Sequence, residues 1–69
     1  MTRVYILQYG RVIDSFSNGE RTITVDCRKY AEYMMKDHLK QGRVESGYYE
    51  LKIVDLNNLE VLDCEDLIV

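Results

Sequence analysis

Asp26-Cys27-Arg28-Lys29-Tyr30-Ala31-Glu32-Tyr33-Met34-Met35-Lys36-Asp37-His38-Leu39-Lys40-Gln41-Gly42 reads as a helix by every local criterion, and nothing on either side of it does. Asp26 offers a side-chain oxygen that can accept a backbone N–H as N-cap, the run from Cys27 to Gln41 holds no breaker, and Gly42 stands at a plausible C′ position. Apolar or semi-polar residues recur at Cys27, Tyr30, Ala31, Met34, Met35, His38 and Leu39, the three- and four-residue spacing of a helix packed along one side. Arg28, Glu32 and Lys36 follow one another at four-residue spacing on the other side, where each opposite-charge pair supports a helix by roughly 0.2–0.5 kcal/mol.

The flanking segments alternate instead. Before the helix, Val4 to Tyr9 is rich in β-branched and aromatic residues and reads as a strand interrupted at Gly10 by a turn or bulge. Arg11 to Phe16 is a second extended run; whether Val4 to Phe16 forms one bulged strand or two shorter ones is open at this level. Asn18-Gly19 is the pair best suited to a type I′ hairpin, and it predicts a returning strand over Arg21 to Val25. After the helix, Gly42 to Gly47 is a loop, Tyr48 to Asp55 alternates as a strand, Leu56-Asn57-Asn58-Leu59 supplies a turn, and Glu60 to Cys64 returns. The last five residues, Glu65 to Val69, are expected to add a short edge strand or to dock their apolar end on the core. The order ββαββ predicts an α+β fold: a small antiparallel sheet of four to five strands with one helix packed across it, a β-grasp-like arrangement being the alternative.

A chain of 69 residues has room for one core, so residues 1–69 are expected to form a single domain. Hydrophobic residues at 46% and charged residues at 30% place it among chains that fold and away from disorder. No apolar run reaches the length of a membrane span, and the first residues alternate with polar groups where a signal peptide would carry an apolar run; a cytoplasmic protein with no membrane association is the expectation. Cys27 and Cys64 lack the paired spacing of a zinc site or a redox motif and read as two reduced, packed thiols.

The chemistry-bearing inventory is thin. His38 is the single histidine, it falls on the helical stripe beside Met34 and Leu39, and the sequence supplies no defined group to orient it as a general base. Asp63, Glu65 and Asp66 cluster without the glycine and ligand spacing of a calcium loop, and no phosphate-cradling glycine motif is present. The expectation is a protein that is not an enzyme and takes no cofactor or metal.

Charge and aromatic content point to recognition. The overall charge of −3 is unevenly spread: Arg28, Lys29, Lys36, Lys40 and Arg43 outnumber the acids of the helical run, whereas from Val44 onward seven acids face Lys52 alone. Six tyrosines stand beside a single phenylalanine, and tyrosine is enriched at interaction surfaces because it is amphipathic and costs little to immobilise. Alternation puts Tyr5, Leu7 and Tyr9 on one side of the first strand and Val4 and Ile6 on the other. In the third it sets Tyr49, Leu51 and Ile53 against Tyr48 and Val54. One helix covers one side of a sheet, so the other needs a second copy of the chain, a foreign partner, or Leu67-Ile68-Val69 folded back over it, in that order of expectation.

These features lead to a non-enzymatic protein-binding module, expected to be homodimeric. Its partner-binding residues are Tyr5, Tyr9, Tyr33, Tyr48, Glu60, Asp63, Glu65 and Asp66, the acids steering it towards a basic surface. In size, charge and build it is similar to small acidic phage-encoded inhibitors of host defence such as anti-CRISPR proteins, and that analogy implies an inhibitor of a nucleic-acid-handling protein. The alternative is a small nucleic-acid-binding regulator using Arg28, Lys29, Lys36, Lys40 and Arg43, with Tyr33 stacking on a base. Against it stands a pI near 5.0.

Overall fold

A computed structural model describes residues 1–69. The elements are β1 (Thr2–Gln8), β2 (Arg11–Asn18), α1 (Val25–Lys40), β3 (Tyr48–Asp55) and β4 (Glu60–Ile68). They form a four-stranded sheet in the order β2-β1-β3-β4, antiparallel at every pairing, with α1 packed on one side. The expected α+β architecture is therefore the observed one. The β-grasp alternative is not formed, because no two strands pair in parallel.

The first hairpin turns at Tyr9-Gly10, not at Asn18-Gly19. Tyr9 and Gly10 both take positive φ, 52° and 76°, as a two-residue type I′ turn demands. Glycine meets that demand freely, and tyrosine does so at a steric cost. β2 then runs to Asn18 and stops; the expected returning strand over Arg21 to Val25 does not form. The corner is held by side chains: the Thr2 hydroxyl donates to Asn18 O, and the Asn18 carboxamide oxygen accepts the Glu20 N–H at 3.3 Å. From there the chain crosses to the helix side, where the Ile23 N–H donates to Asp63 Oδ2 at 2.7 Å and Ile23 joins the core margin.

The helix starts two residues earlier than expected, with Thr24 as N-cap in place of Asp26. The Thr24 hydroxyl accepts the Cys27 N–H at 3.1 Å, and Asp26 falls in the first turn, where its charge opposes the positive end of the helix dipole. Gly42, at φ 71°, is the left-handed C′ residue: its N–H donates to Leu39 O at 3.1 Å and the Arg43 N–H to His38 O at 3.0 Å, the paired bonds of a Schellman stop. Of the predicted stripe, Cys27, Ala31 and Met35 are buried; Met34, His38 and Leu39 are half-buried. Tyr30 is exposed at its rim, its ring edge-on to Phe16 at 4.8 Å. The Arg28–Glu32–Lys36 ladder does not form as ion pairs, because Arg28 reaches Glu65 on β4 at 3.4 Å.

Val4, Ile6, Tyr49, Leu51, Ile53 and Leu67 face α1 and are essentially inaccessible to solvent. Tyr49 is buried whole because its hydroxyl finds an acceptor, Glu45 O, at 2.6 Å. Two bulges adjust the edges. Ile13 is the extra residue opposite the Ile6/Leu7 step and Leu62 the extra residue opposite Ile53/Val54; both pack against the core. The C-terminal residues do not roof the second side. Leu67 points into the core, Ile68 closes β4 on the far side, and Val69 exchanges backbone bonds with Gly47 at 2.8 and 3.0 Å. No helix of the chain is long and apolar enough to cross a membrane.

Candidate interaction surface

The side of the sheet away from α1 carries no second layer. Antiparallel partners share a face, so the pairing registers give its composition directly. One row across the strands is Val12, Leu7, Glu50 and Asp66; the next is Ser15, Tyr5, Lys52 and Cys64; the next is Ser17, Arg3, Val54 and Val61. Tyr48 and Ile68 pair beyond the first of these rows. Sequence alternation groups Tyr5 with Leu7 and Tyr48 with Val54, and the pairing of β1 with β3 brings both groups to this side; Tyr9, expected beside Tyr5 and Leu7, instead stands at the hairpin tip, 92% exposed. The expected apolar sheet is in fact a checkerboard, since every apolar residue has a polar cross-strand neighbour or a solvent edge. Even so, Val12, Tyr48, Val61 and Ile68 each leave half or more of their surface in water.

The electrostatics of this face are local. The Tyr48 hydroxyl donates to Asp66 Oδ1 at 2.7 Å, and that bond, with burial and the charges of Asp66, Glu50 and Cys64 behind it, pushes the phenol up to about 12. Arg3 donates to Ser15 Oγ at 2.9 Å and Ser17 Oγ at 3.1 Å, which pins it flat across β2. Glu50 and Lys52 have no ion-pair partner in the chain. Cys64 is exposed here and Cys27 is buried on the inner face of α1, so the two free thiols lie on opposite sides of the sheet; the expectation that both are packed holds for Cys27 alone. Burial raises both thiols above the ordinary range, reinforced by Glu65 at Cys27 and by Glu50 at Cys64; both are held protonated and weakly nucleophilic at neutral pH.

The acids expected to act together are divided by strand alternation. Asp63 and Glu65 point to the helix side and are engaged there, Asp63 by the Ile23 N–H and Glu65 by Arg28. Asp66 lies on the open face and Glu60 at the β3–β4 turn. The basic residues divide as well. Arg28 is paired with Glu65, and Arg43 lies 3.9 Å from Asp37 and donates to Gln41. Lys29, Lys36 and Lys40 stay exposed and unpaired on the solvent side of α1, with Tyr33 between them at 70% exposure.

One arrangement was not legible in the sequence. His38 Nε2 lies 2.7 Å from Asp14 Oδ2, tying the end of α1 to β2, and Arg43 Nη1 lies 3.5 Å from Nδ1. Burial pushes the Asp14 carboxyl up, but the His38 bond, the Ser15 N–H and the charges of His38 and Arg3 outweigh it and hold Asp14 below its ordinary value. Both ring nitrogens are thus engaged, and no hydroxyl or thiol bonds the imidazole. The largest cleft, about 600 Å³, is elsewhere, between Phe16, Glu20, Asp26 and Tyr30 at the start of the helix.

Compared with protein-family models, with curated proteins and with solved structures, the chain matches none.

Proposed function

We propose that this chain is a non-enzymatic protein-interaction module whose working surface is the open side of its sheet. The observation that carries the reading is the set Tyr5, Leu7, Val12, Tyr48, Val54, Val61 and Ile68, gathered on one face that no element of the chain covers. Large apolar side chains left open together on one face mark a surface held against another molecule, and aromatic anchors interleaved with polar groups are the usual make-up of such contacts. Glu60 and Asp66 stand along the β4 edge of this surface and favour basic groups on a partner at that margin, while the face as a whole balances Arg3 and Lys52 against Glu50 and Asp66. A small acidic domain of this shape suits an inhibitor that works by occupying a face of a larger protein, the role of the phage-encoded inhibitors it matches in size and charge.

A second reading rests on the three unpaired lysines of α1 with Tyr33 among them, a suitable strip for phosphates and one stacked base. Immobilised chain separates the two. Under the preferred reading a protein is retained from host extract by wild type and by Lys36→Glu, and is lost in Val54→Glu. Retention of polynucleotide that falls steeply with salt and is lost in Lys36→Glu would replace it with the second.

A further inference from the structure

We propose that the open face is closed by a second copy of this chain, packed sheet against sheet about a two-fold axis that crosses the strands between Glu50 and Lys52. The proposal rests on the reading that this face is a docking surface, and it names the occupant.

The pattern of the face is what selects that occupant. Along β3 the outward residues are Tyr48, Glu50, Lys52 and Val54, each two positions from the next. Taken from the midpoint between Glu50 and Lys52, the sequence outward is acid then apolar in one direction and base then apolar in the other. A two-fold axis at that midpoint lays each strand over its own copy running the opposite way, the antiparallel form of aligned sheet packing. Glu50 then meets the partner's Lys52 twice over, and Tyr48 meets the partner's Val54. The neighbouring strands obey the same axis. On β1 it sets Leu7 across from the partner's Tyr5, and on β4 it sets Ile68 across from the partner's Val61.

Charge favours this occupant over a strongly basic one. The face holds two cations, Arg3 and Lys52, and two anions, Glu50 and Asp66, so it is neutral although the chain carries −3. Arg3 is already committed to Ser15 and Ser17, and Asp66 to Tyr48. Glu50 and Lys52 flank the axis on β3; neither has an ion-pair partner, and the only side-chain bond to either is the long one from the Cys64 thiol to Glu50 at 3.9 Å. A buried or half-buried charge is tolerated in an interface when it meets its opposite, and the symmetry supplies that opposite for both. The β4 edge does not offer an equivalent route to self-association, since Glu60, Asp63, Glu65 and Asp66 along it would oppose the same acids of a second β4.

The test is a charge exchange followed by sedimentation or light scattering on the full chain. Wild type should sediment as a species of twice the 8.2 kDa chain mass. Glu50→Lys and Lys52→Glu each set like charges against one another twice, and each alone should weaken the dimer at least tenfold with the helical circular dichroism unchanged. Mixed in equal amounts, the two variants form two opposite-charge pairs and should run together as a heterodimer; the double variant E50K/K52E should recover the homodimer. Lys36→Glu, on the far side of α1, should leave assembly unaltered. A folded monomer at every concentration, or a dimer indifferent to both exchanges, overturns the proposal. In that event Val54→Glu in the capture experiment separates the two failures. Loss of a foreign partner there leaves the face a docking surface with another occupant, and unchanged capture removes both.

Discussion

Along β3, Tyr49, Leu51 and Ile53 face the helix and are fully buried, while Tyr48, Glu50, Lys52 and Val54, one residue out of phase, face solvent. The same contrast runs through β1, where Val4 and Ile6 are buried and Arg3, Tyr5 and Leu7 are only partly covered. The centre of one side, on β1 and β3, is uniformly apolar and closed, with Asp14, Asp63 and Glu65 each partnered at its β2 and β4 edges, and the other side alternates apolar with charged and is open. Uniform apolarity is what a core requires, because a polar group there would lose its water without gaining a partner. Alternation is what a reversible contact requires, since the free chain must remain soluble and the bound one must still exclude water. The difference teaches that the five inward residues of β1 and β3 maintain the fold and that the outward set is free for recognition.

Truncation measures that contrast most directly. Leu51→Ala opens a cavity between sheet and helix and should cost about 2–5 kcal/mol in urea unfolding. Val54→Ala removes apolar surface that is already partly wet, and in dilute solution should cost less than about 1 kcal/mol. Comparable losses at the two positions would mean that the open face is as much a part of the folded core as the closed one.

The two sides of each strand were readable in advance, and which of them the helix closes was not. Period-two alternation separated Val4 and Ile6 from Tyr5 and Leu7, and Tyr49, Leu51 and Ile53 from Tyr48 and Val54, and the 3.6 period of α1 set Ala31 and Met35 on one stripe, because each of those patterns is enforced locally. That Val4, Ile6, Tyr49, Leu51 and Ile53 share the closed side depends on the pairing of β1 with β3. The hairpin position was misjudged because Asn18-Gly19 is the better local turn. Nothing local says that β1 must be a central strand between β2 and β3, yet that placement forces the turn at Tyr9-Gly10 despite the cost of a tyrosine at φ 52°. Residues 19–24 are needed instead to carry the chain across to the helix. The acidic group dissolved for a related reason: Asp63, Glu65 and Asp66 adjoin in sequence, but a strand sends neighbours to opposite sides. His38 and Asp14 were invisible as a pair, being 24 positions apart and joined only when α1 lies on β2.

That pair belongs to the closed side and gives the next smaller effect. Asp14→Asn keeps the shape but removes the charge that His38 and the Ser15 N–H stabilise, and should cost about 1 kcal/mol near pH 5, where Asp14 is ionised in both folded and unfolded chains. Asp14 is held below its ordinary value in the folded chain, so its contribution is present above the unfolded value and is lost as pH falls through the folded one. The stability gap between wild type and variant should therefore close on acidification below about pH 4. A gap that stayed constant down to about pH 2 would show that the carboxylate is not held by these partners.

The smallest effect lies on the open side and leaves stability nearly untouched. Tyr48 donates to Asp66 at the surface, and the carboxylate keeps the phenol protonated up to about 12. A group whose folded value is raised stabilises the fold below its unfolded value, and that contribution fades as pH climbs through the folded one; the relevant window therefore opens near pH 10 and shuts near 12. Titrated by phenolate absorbance, wild type should release one tyrosine proton late, near the upper end of that window. Tyr48→Phe should abolish the late step, and Asp66→Asn should bring it down towards about 10, since an amide accepts the hydrogen bond without opposing the phenolate charge. If Asp66→Asn left the late step in place, Tyr48 would owe its protection to being covered. In that case the cover would have to be a second molecule, because the chain itself leaves half of this side chain in water.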